Sequence, residues 1–140
     1  MQLISLPITA LYAALCGFLV VALAANVVRY RLGKKVSLGD GGHKDVNRAI
    51  RAHGNTVEYI PLALILMALL EINGGGNSAL HVYGILLLAG RVSYAYGMLV
   101  PRSSANLPRQ LGILTSWICL LYTSDAADEG LGVDLGGRRI

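Results

Sequence analysis

The stretch from Leu3 to Val28, LISLPITALYAALCGFLVVALAANVV, contains no charged residue. At about 1.5 Å of rise per residue, a helix of this length exceeds the roughly 30 Å hydrocarbon core of a bilayer. A secretory signal peptide would have basic residues before a shorter apolar segment, whereas only Met1 and Gln2 precede this one. The stretch therefore predicts a retained transmembrane helix.

Three further apolar segments follow, at about residues 45–72, 79–100 and 108–121. The glycine-rich sequences at 39–42 and 73–77 between them are typical of turns. The chain is 54% hydrophobic and only 14% charged, whereas about a quarter of the residues in soluble domains are charged. We therefore predict an all-α fold, an integral membrane bundle of four helices.

The basic residues cluster in two of the three connections between these segments. Five lie in the first connection and two flank the third: Arg29, Arg31, Lys34, Lys35, Lys44, Arg102 and Arg109. The second connection has no Lys or Arg. Because cytoplasmic loops carry an excess of these residues, loops 29–47 and 100–109 are predicted to be cytoplasmic. This rule also explains the net charge of +4 without a nucleic-acid partner.

The fourth segment loses its apolar character after Leu121, where Asp125 and Asp128 follow. A membrane span needs roughly 20 apolar residues, so the fourth helix is expected to be truncated as a span. The sequence of residues 119–140 also resembles the translation of a sequencing-library adapter. We therefore expect a four-helix transmembrane domain at 1–118 and a non-native read-through tail at 119–140. A genuine polar tail is the alternative, and the nucleotide sequence would decide between them.

The second segment contains a polar stripe. On a helical wheel with about 100° per residue, five side chains fall within roughly one third of the circumference: Arg48, Arg51, Asn55, Glu58 and Tyr59. Charged residues at membrane depth are costly and are therefore candidates for function. Two guanidinium groups with a carboxylate and an amide suit a ligand that carries carboxylates and an amine. Alternatively, the charged side chains pair with each other or extend to the interface.

Two arginines in the later segments are further candidates. Arg91 lies three residues before Tyr94, and a buried arginine needs acceptors, so we expect it to pair with Glu58 or to contact a ligand. Arg109 opens the fourth segment near the positive end of the helix dipole, which favours an anion nearby. The two cysteines have no metal-ligand spacing, so no metal site is predicted.

The run from Val46 to Leu62, VNRAIRAHGNTVEYIPL, closely resembles the signature of the MAPEG family, the membrane-associated proteins in eicosanoid and glutathione metabolism. In that signature, R-A-H/Q-x-N-x-x-E is followed by an aromatic residue and a proline. The preceding VSLGDGG at 36–42 is similar to the bacterial branch. The resemblance covers roughly residues 26–114. It implies a bacterial inner-membrane four-helix bundle that assembles as a homotrimer, with glutathione as co-substrate held between neighbouring subunits.

The resemblance also implies roles for individual residues. By motif position, six residues would bind glutathione: Arg31, Arg51, Asn55, Glu58, Tyr59 and Tyr94. Arg109 would be catalytic, as the cation that stabilises the thiolate nucleophile. Three further arginines could support the site: Arg48, Arg91 and Arg102. The expected activity is conjugation of glutathione to a hydrophobic electrophile that arrives through the membrane lipid, or a peroxidase reaction. Met98 departs from the family by replacing a second tyrosine.

Two other functional classes remain open on the sequence. A small four-helix transporter could use Glu58 as a lone carboxylate that couples proton and substrate movement. A non-catalytic membrane module could use the polar stripe only for subunit packing. Proton-coupled uptake would identify the transporter, and failure to bind glutathione would favour the module.

Overall fold

The computed structural model describes residues 5–100 and 106–132, with side chains described up to Asp128. These residues form four helices: α1 (Pro7–Lys34), α2 (Lys44–Ile72), α3 (Asn77–Leu99) and α4 (Leu107–Gly132). In the described ranges there is no strand, and α1, α2 and α3 are long and apolar enough to cross a membrane. The predicted all-α membrane bundle is confirmed.

Helices α2 and α3 form the centre of the bundle. They pack against each other, and each also contacts α1 and α4. Three clusters of buried side chains fill the interior along its length, with Met67 near one end, Leu87 in the middle and Ala52 near the other end. The polar stripe of α2 therefore lies on an element that borders every other helix.

Helix α1 begins with a cap supplied by a different helix. Pro7 occupies the first turn, where its missing N–H costs nothing. The backbone N–H groups of Ile8 and Thr9 donate to the two carboxylate oxygens of Glu71, at 3.0 and 2.8 Å. Glu71 lies in the last turn of α2, so its negative charge meets the positive end of the α1 dipole. This contact joins the first two helices on the membrane face opposite the basic loops.

We expect Glu71→Gln to lower the free energy of unfolding by about 1 kcal/mol, because the glutamine has one oxygen acceptor and no charge for the helix dipole. Glu71→Ala should lower it by about 2 kcal/mol, since both amides lose their acceptor. Unfolding in mixed detergent micelles measures both effects. Ser78 is exposed on the same side of the membrane, and Ser78→Ala is the control. Equal stability of all three variants and the wild type would contradict this role of Glu71.

The connection between α1 and α2 is a compact turn rather than an extended loop. Lys35 and three glycines have positive φ, and a Cβ on Gly41 would lie 2.6 Å from a methyl carbon of Val36. The carboxylate of Asp40 accepts hydrogen bonds from the Gly42 N–H at 3.0 Å and from Asn47 Nδ2 at 2.7 Å. These two bonds lower the pKa of Asp40. The turn is thus fixed to the first residues of α2.

Helices α3 and α4 approach each other through glycines. A Cβ built on Gly112 would lie 2.5 Å from the backbone nitrogen of Tyr94 and 2.6 Å from the carbonyl oxygen of Gly90. One built on Gly97 would lie 2.6 Å from the backbone nitrogen of Arg109. Small residues allow membrane helices to pack backbone against backbone in this way. The glycines therefore determine how deep α4 lies in the bundle.

Helix α4 continues past Ile118, where we expected the native sequence to end. No glycine or proline interrupts residues 113–129, and the alanines at 126 and 127 favour helix, so the backbone has no reason to break there. The apolar part of α4 is nevertheless short. Within the described residues, α4 is not among the helices that are long and apolar enough to cross a membrane. Helix α4 thus has 26 residues but only a short apolar part, and the domain boundary at 118 stays a prediction.

Candidate functional site

Arg91 lies at the centre of the polar region and is fully buried. Its Nη1 donates to Asn55 Oδ1 at 2.8 Å. Its Nη2 donates to the carbonyl oxygen of Gly112 at 2.9 Å and to Ser116 Oγ. Because Asn55 belongs to α2 and the other two acceptors to α4, a single guanidinium joins three helices.

Two tyrosine rings enclose the same guanidinium. Its Cζ lies 4.6 Å from the ring centroid of Tyr59 and 5.3 Å from that of Tyr94. Cation–π contacts of this kind gain strength when they are removed from water. No carboxylate forms a salt bridge with Arg91 in the described part of the chain. The buried charge is therefore balanced by a carbonyl group, an amide, a hydroxyl and two aromatic rings.

The expected pairing of Arg91 with Glu58 is wrong. Asn55 and Tyr59 are four residues apart and form one row on α2 that faces Arg91. Glu58 lies about 60° around the helix from Asn55 and is exposed on the outer face of the bundle. A helical wheel groups these residues correctly, but it does not show which edge of the group meets the next helix.

The polar stripe is thus divided between two environments. Asn55 and Tyr59 are half-buried at the edge of α2 that borders α3 and α4. Arg51 and Glu58 are exposed, and neither makes a salt bridge or a side-chain hydrogen bond to any described residue. Arg51 and Glu58 thus face outward as one cation and one anion, whereas the Asn55 amide and the Tyr59 phenol contact Arg91 inside the bundle.

Arg48, the fifth member of the stripe, lies apart from the other four. It is half-buried and lines a surface cavity of about 320 Å³ together with residues of the preceding turn, Asp40, Gly42, His43, Lys44 and Asn47. This position fits a side chain that extends toward the membrane surface.

Trp117 is a member of the site that sequence reasoning missed. Its indole Nε1 donates to the hydroxyl oxygen of Tyr59 at 3.0 Å. Trp117 is the only tryptophan of the chain, and about half of its side chain is exposed. Ser116, which accepts from Arg91, was also missed. The available signal was the spacing of Gly112 and Ser116, which are four residues apart and form one row of small residues on α4.

Arg109 lies in the first turn of α4 beside the end of α3. Its backbone N–H donates to Asn106 Oδ1 at 3.1 Å, and Asn106 Nδ2 donates to the carbonyl oxygen of Gly97 at 2.7 Å. Asn106 therefore caps α4 and joins it to α3. Arg109 is half-buried. A cavity of about 130 Å³ lies next to this turn, lined by Tyr96, Gly97, Val100, Asn106 and Pro108.

The remaining predicted site residues lie in different parts of the bundle. Tyr94 is almost fully buried against Arg91. Arg31 is half-buried near the end of α1, and its Nε is buried without a hydrogen-bond partner. Arg102 lies outside the described residues. Among the residues that the structure describes, no group of three or more His, Cys, Asp or Glu side chains could hold a metal ion.

This fold and site define a small helical membrane protein with a polar stripe on its second helix. The chain belongs to the MAPEG family, whose model matches residues 9–124. It is similar to the inner membrane protein YecN of Escherichia coli strain K12 and to YecN of strain CFT073. Each relative is 41% identical over 114 residues, which cover 81% of this chain and 85% of the relative. The predicted family and the inner-membrane location are confirmed, whereas which loops face the cytoplasm stays a prediction.

Proposed function

We propose that the protein binds glutathione on the polar stripe of α2 and conjugates the glutathione thiolate to hydrophobic electrophiles, with peroxide reduction as the alternative reaction of the same thiolate. The observation that supports this most is the exposure of Arg51 and Glu58 on the outer face of a transmembrane helix. Membership of the MAPEG family supports the choice of ligand.

The depth of Glu58 in the membrane makes contact between its carboxylate and lipid unfavourable. Glu58 is the middle residue of the 29-residue helix α2, about 21 Å from either end at 1.5 Å per residue. An ionised carboxylate in contact with lipid tails is costly, and charged groups at this depth face protein or water. We therefore propose that a neighbouring subunit covers this face in a homotrimer and that glutathione is bound between the two subunits.

The exposed groups match the ends of glutathione. The ligand has two carboxylates and one ammonium group. The Arg51 guanidinium can grip a carboxylate with two parallel hydrogen bonds, and Glu58 can accept from the ammonium. Neither side chain has to give up a salt bridge or side-chain hydrogen bond to a described residue before it does so.

The transporter alternative receives less support from the same geometry. A proton-coupling carboxylate would line a path through the bundle, whereas Glu58 is on its outer face. The space between α2, α3 and α4 is occupied by the fully buried Arg91. The non-catalytic packing module shares the proposed subunit interface, and glutathione binding separates it from the enzyme.

We expect Arg51→Ala and Glu58→Ala each to raise the Kd for glutathione at least about tenfold, because each removes a hydrogen bond between charged groups. Trp117 provides the measurement, since its indole is hydrogen-bonded to Tyr59 and no other tryptophan contributes to the emission. Titration of the protein in detergent, checked by calorimetry, gives the Kd values.

Arg29→Ala is the matched control for this titration. Arg29 is also exposed and cationic, but among the described residues its hydrogen bond and its cation–π contact are with Asn26 and Tyr30 of its own helix. Its removal should leave the Kd within about twofold of the wild-type value. A folded wild type that does not bind glutathione would eliminate the enzyme and favour the packing module.

A further inference from the structure

We propose that Arg91 is a positioning residue that orients Asn55 and Tyr59 toward the ligand, an inference that rests on the proposed function. Sequence reasoning treated Arg91 as a supporting charge. The structure instead places it behind the polar stripe, fully buried and in contact with both side chains. Arg91 would therefore act on the ligand only through these two neighbours.

The first step concerns the amide of Asn55. A guanidinium has only donors, so the side-chain oxygen of Asn55 must face Arg91, as it does at 2.8 Å. The amide nitrogen, which carries two donors, is then directed away from Arg91. With its orientation fixed, Asn55 offers N–H groups to a ligand carbonyl or carboxylate. Without Arg91, the amide could turn its oxygen outward and repel the same acceptor.

The second step concerns the phenol of Tyr59. Its ring rests on the Arg91 guanidinium, and its hydroxyl oxygen accepts from the indole of Trp117 at 3.0 Å. Because that bond uses a lone pair of the oxygen, the O–H hydrogen remains available as a donor. Arg91 and Trp117 thus hold the side chain from two sides. Asn55 and Tyr59 thus keep their donor groups available at the edge of α2.

The third step concerns the support of Arg91 itself. Its second terminal nitrogen, Nη2, is held by the carbonyl of Gly112 and the hydroxyl of Ser116, and Ser116 in turn donates to Gly112 at 2.7 Å. A guanidinium held at both ends by α2 and α4 has little freedom to move. Restricting the rotamers of ligand-binding groups before the ligand arrives lowers the entropic cost of binding.

A double-mutant cycle between Arg91 and Asn55 tests the inference. Arg91→Met keeps the apolar length of the side chain and removes its hydrogen bonds. We expect Arg91→Met and Asn55→Ala each to raise the Kd for glutathione about tenfold. The loss in the double variant should fall well short of the product of the two single losses, because Arg91 acts in part through Asn55. Titration followed by Trp117 emission and by calorimetry measures all four proteins.

Two further variants separate positioning from packing. Ser116→Ala removes one of the two acceptors that hold Arg91 Nη2, so it should raise the Kd, but by less than Arg91→Met does. Arg91→Lys keeps the cation and replaces the planar fork by a single donor nitrogen, and it should recover part of the affinity that Arg91→Met loses. If Arg91→Met does not fold, the cycle is built with Arg91→Lys, which is expected to weaken binding about threefold through the loss of the planar fork.

The outcomes distinguish this inference from the proposed function. A folded Arg91→Met variant with wild-type Kd, while Asn55→Ala weakens binding, overturns the positioning role alone. Fully multiplicative losses in the double variant also overturn it. If the wild type does not bind glutathione, the proposed function fails, and the ligand-free Trp117 emission decides the positioning role. An emission spectrum unchanged by Arg91→Met would then show that Arg91 does not hold Tyr59.

Discussion

Substituting alanine for Gly112 is expected to lower the free energy of unfolding by about 2–3 kcal/mol. The added methyl carbon would lie 2.5 Å from the backbone nitrogen of Tyr94 and 2.6 Å from the carbonyl oxygen of Gly90. Both neighbours are backbone atoms, which cannot move aside as a flexible side chain can. Helices α3 and α4 would have to separate, and the hydrogen bond from Arg91 to the Gly112 carbonyl would lengthen or break.

Gly17→Ala is the matched control for this substitution. Gly17 is also inside a helix, but a Cβ at this position meets nothing within 4 Å. Alanine restricts the unfolded backbone more than glycine, so Gly17→Ala should raise stability by about 0.5–1 kcal/mol. Unfolding in detergent measures the free energy of unfolding of both variants. Equal stability of Gly112→Ala and the wild type would contradict the close approach of α3 and α4.

Replacing Arg109 by alanine is expected to slow conjugation at neutral pH about 100-fold while the Kd for glutathione changes by less than about threefold. This expectation rests on the proposed role of Arg109 as the cation beside the thiolate. A nearby cation favours the charged form of a thiol and lowers its pKa. Removing the cation raises the thiol pKa, so less thiolate is present at neutral pH. The rate should therefore recover as the pH is raised.

A pH profile with a hydrophobic chromogenic electrophile measures this effect. Arg109→Lys keeps the charge and should retain a lower apparent thiol pKa than Arg109→Ala. Arg102→Ala is the second comparison, because Arg102 is close enough in sequence to serve the same purpose. A loss of activity in Arg102→Ala with normal activity in Arg109→Ala would transfer the catalytic role to Arg102. Equal loss of binding and rate would make Arg109 a binding residue instead.

Most of the helical architecture could be predicted from the sequence because it depends on long uninterrupted apolar segments. The predicted second and third segments, at about 45–72 and 79–100, differ by at most two residues at each end from α2 and α3. The first helix extends to Lys34, six residues beyond the end of its apolar stretch. Arginine and lysine are good helix formers, so the helix continues after hydrophobicity has ceased to indicate it.

The polar stripe could be predicted from spacing within one helix, whereas its partners could not. Spacing placed Asn55 and Glu58 together, but only the packing of α2 against α3 and α4 decides that Asn55 meets Arg91 and Glu58 faces outward. The bond between Trp117 and Tyr59 joins residues 58 positions apart, and no local pattern indicates it. Contacts between helices were therefore the part of the site that required the structure.

The cap on α1 has a consequence for biosynthesis. Glu71 lies 62 and 63 residues after the two backbone N–H groups that donate to it. It is therefore synthesised only when α2 is almost complete. Until then, the start of α1 has no carboxylate to satisfy its free N–H groups, and such groups are costly to bury in lipid. The N–H groups at the start of α1 gain this acceptor only in a helical hairpin that contains both α1 and α2. This arrangement favours insertion of the first two helices as a pair.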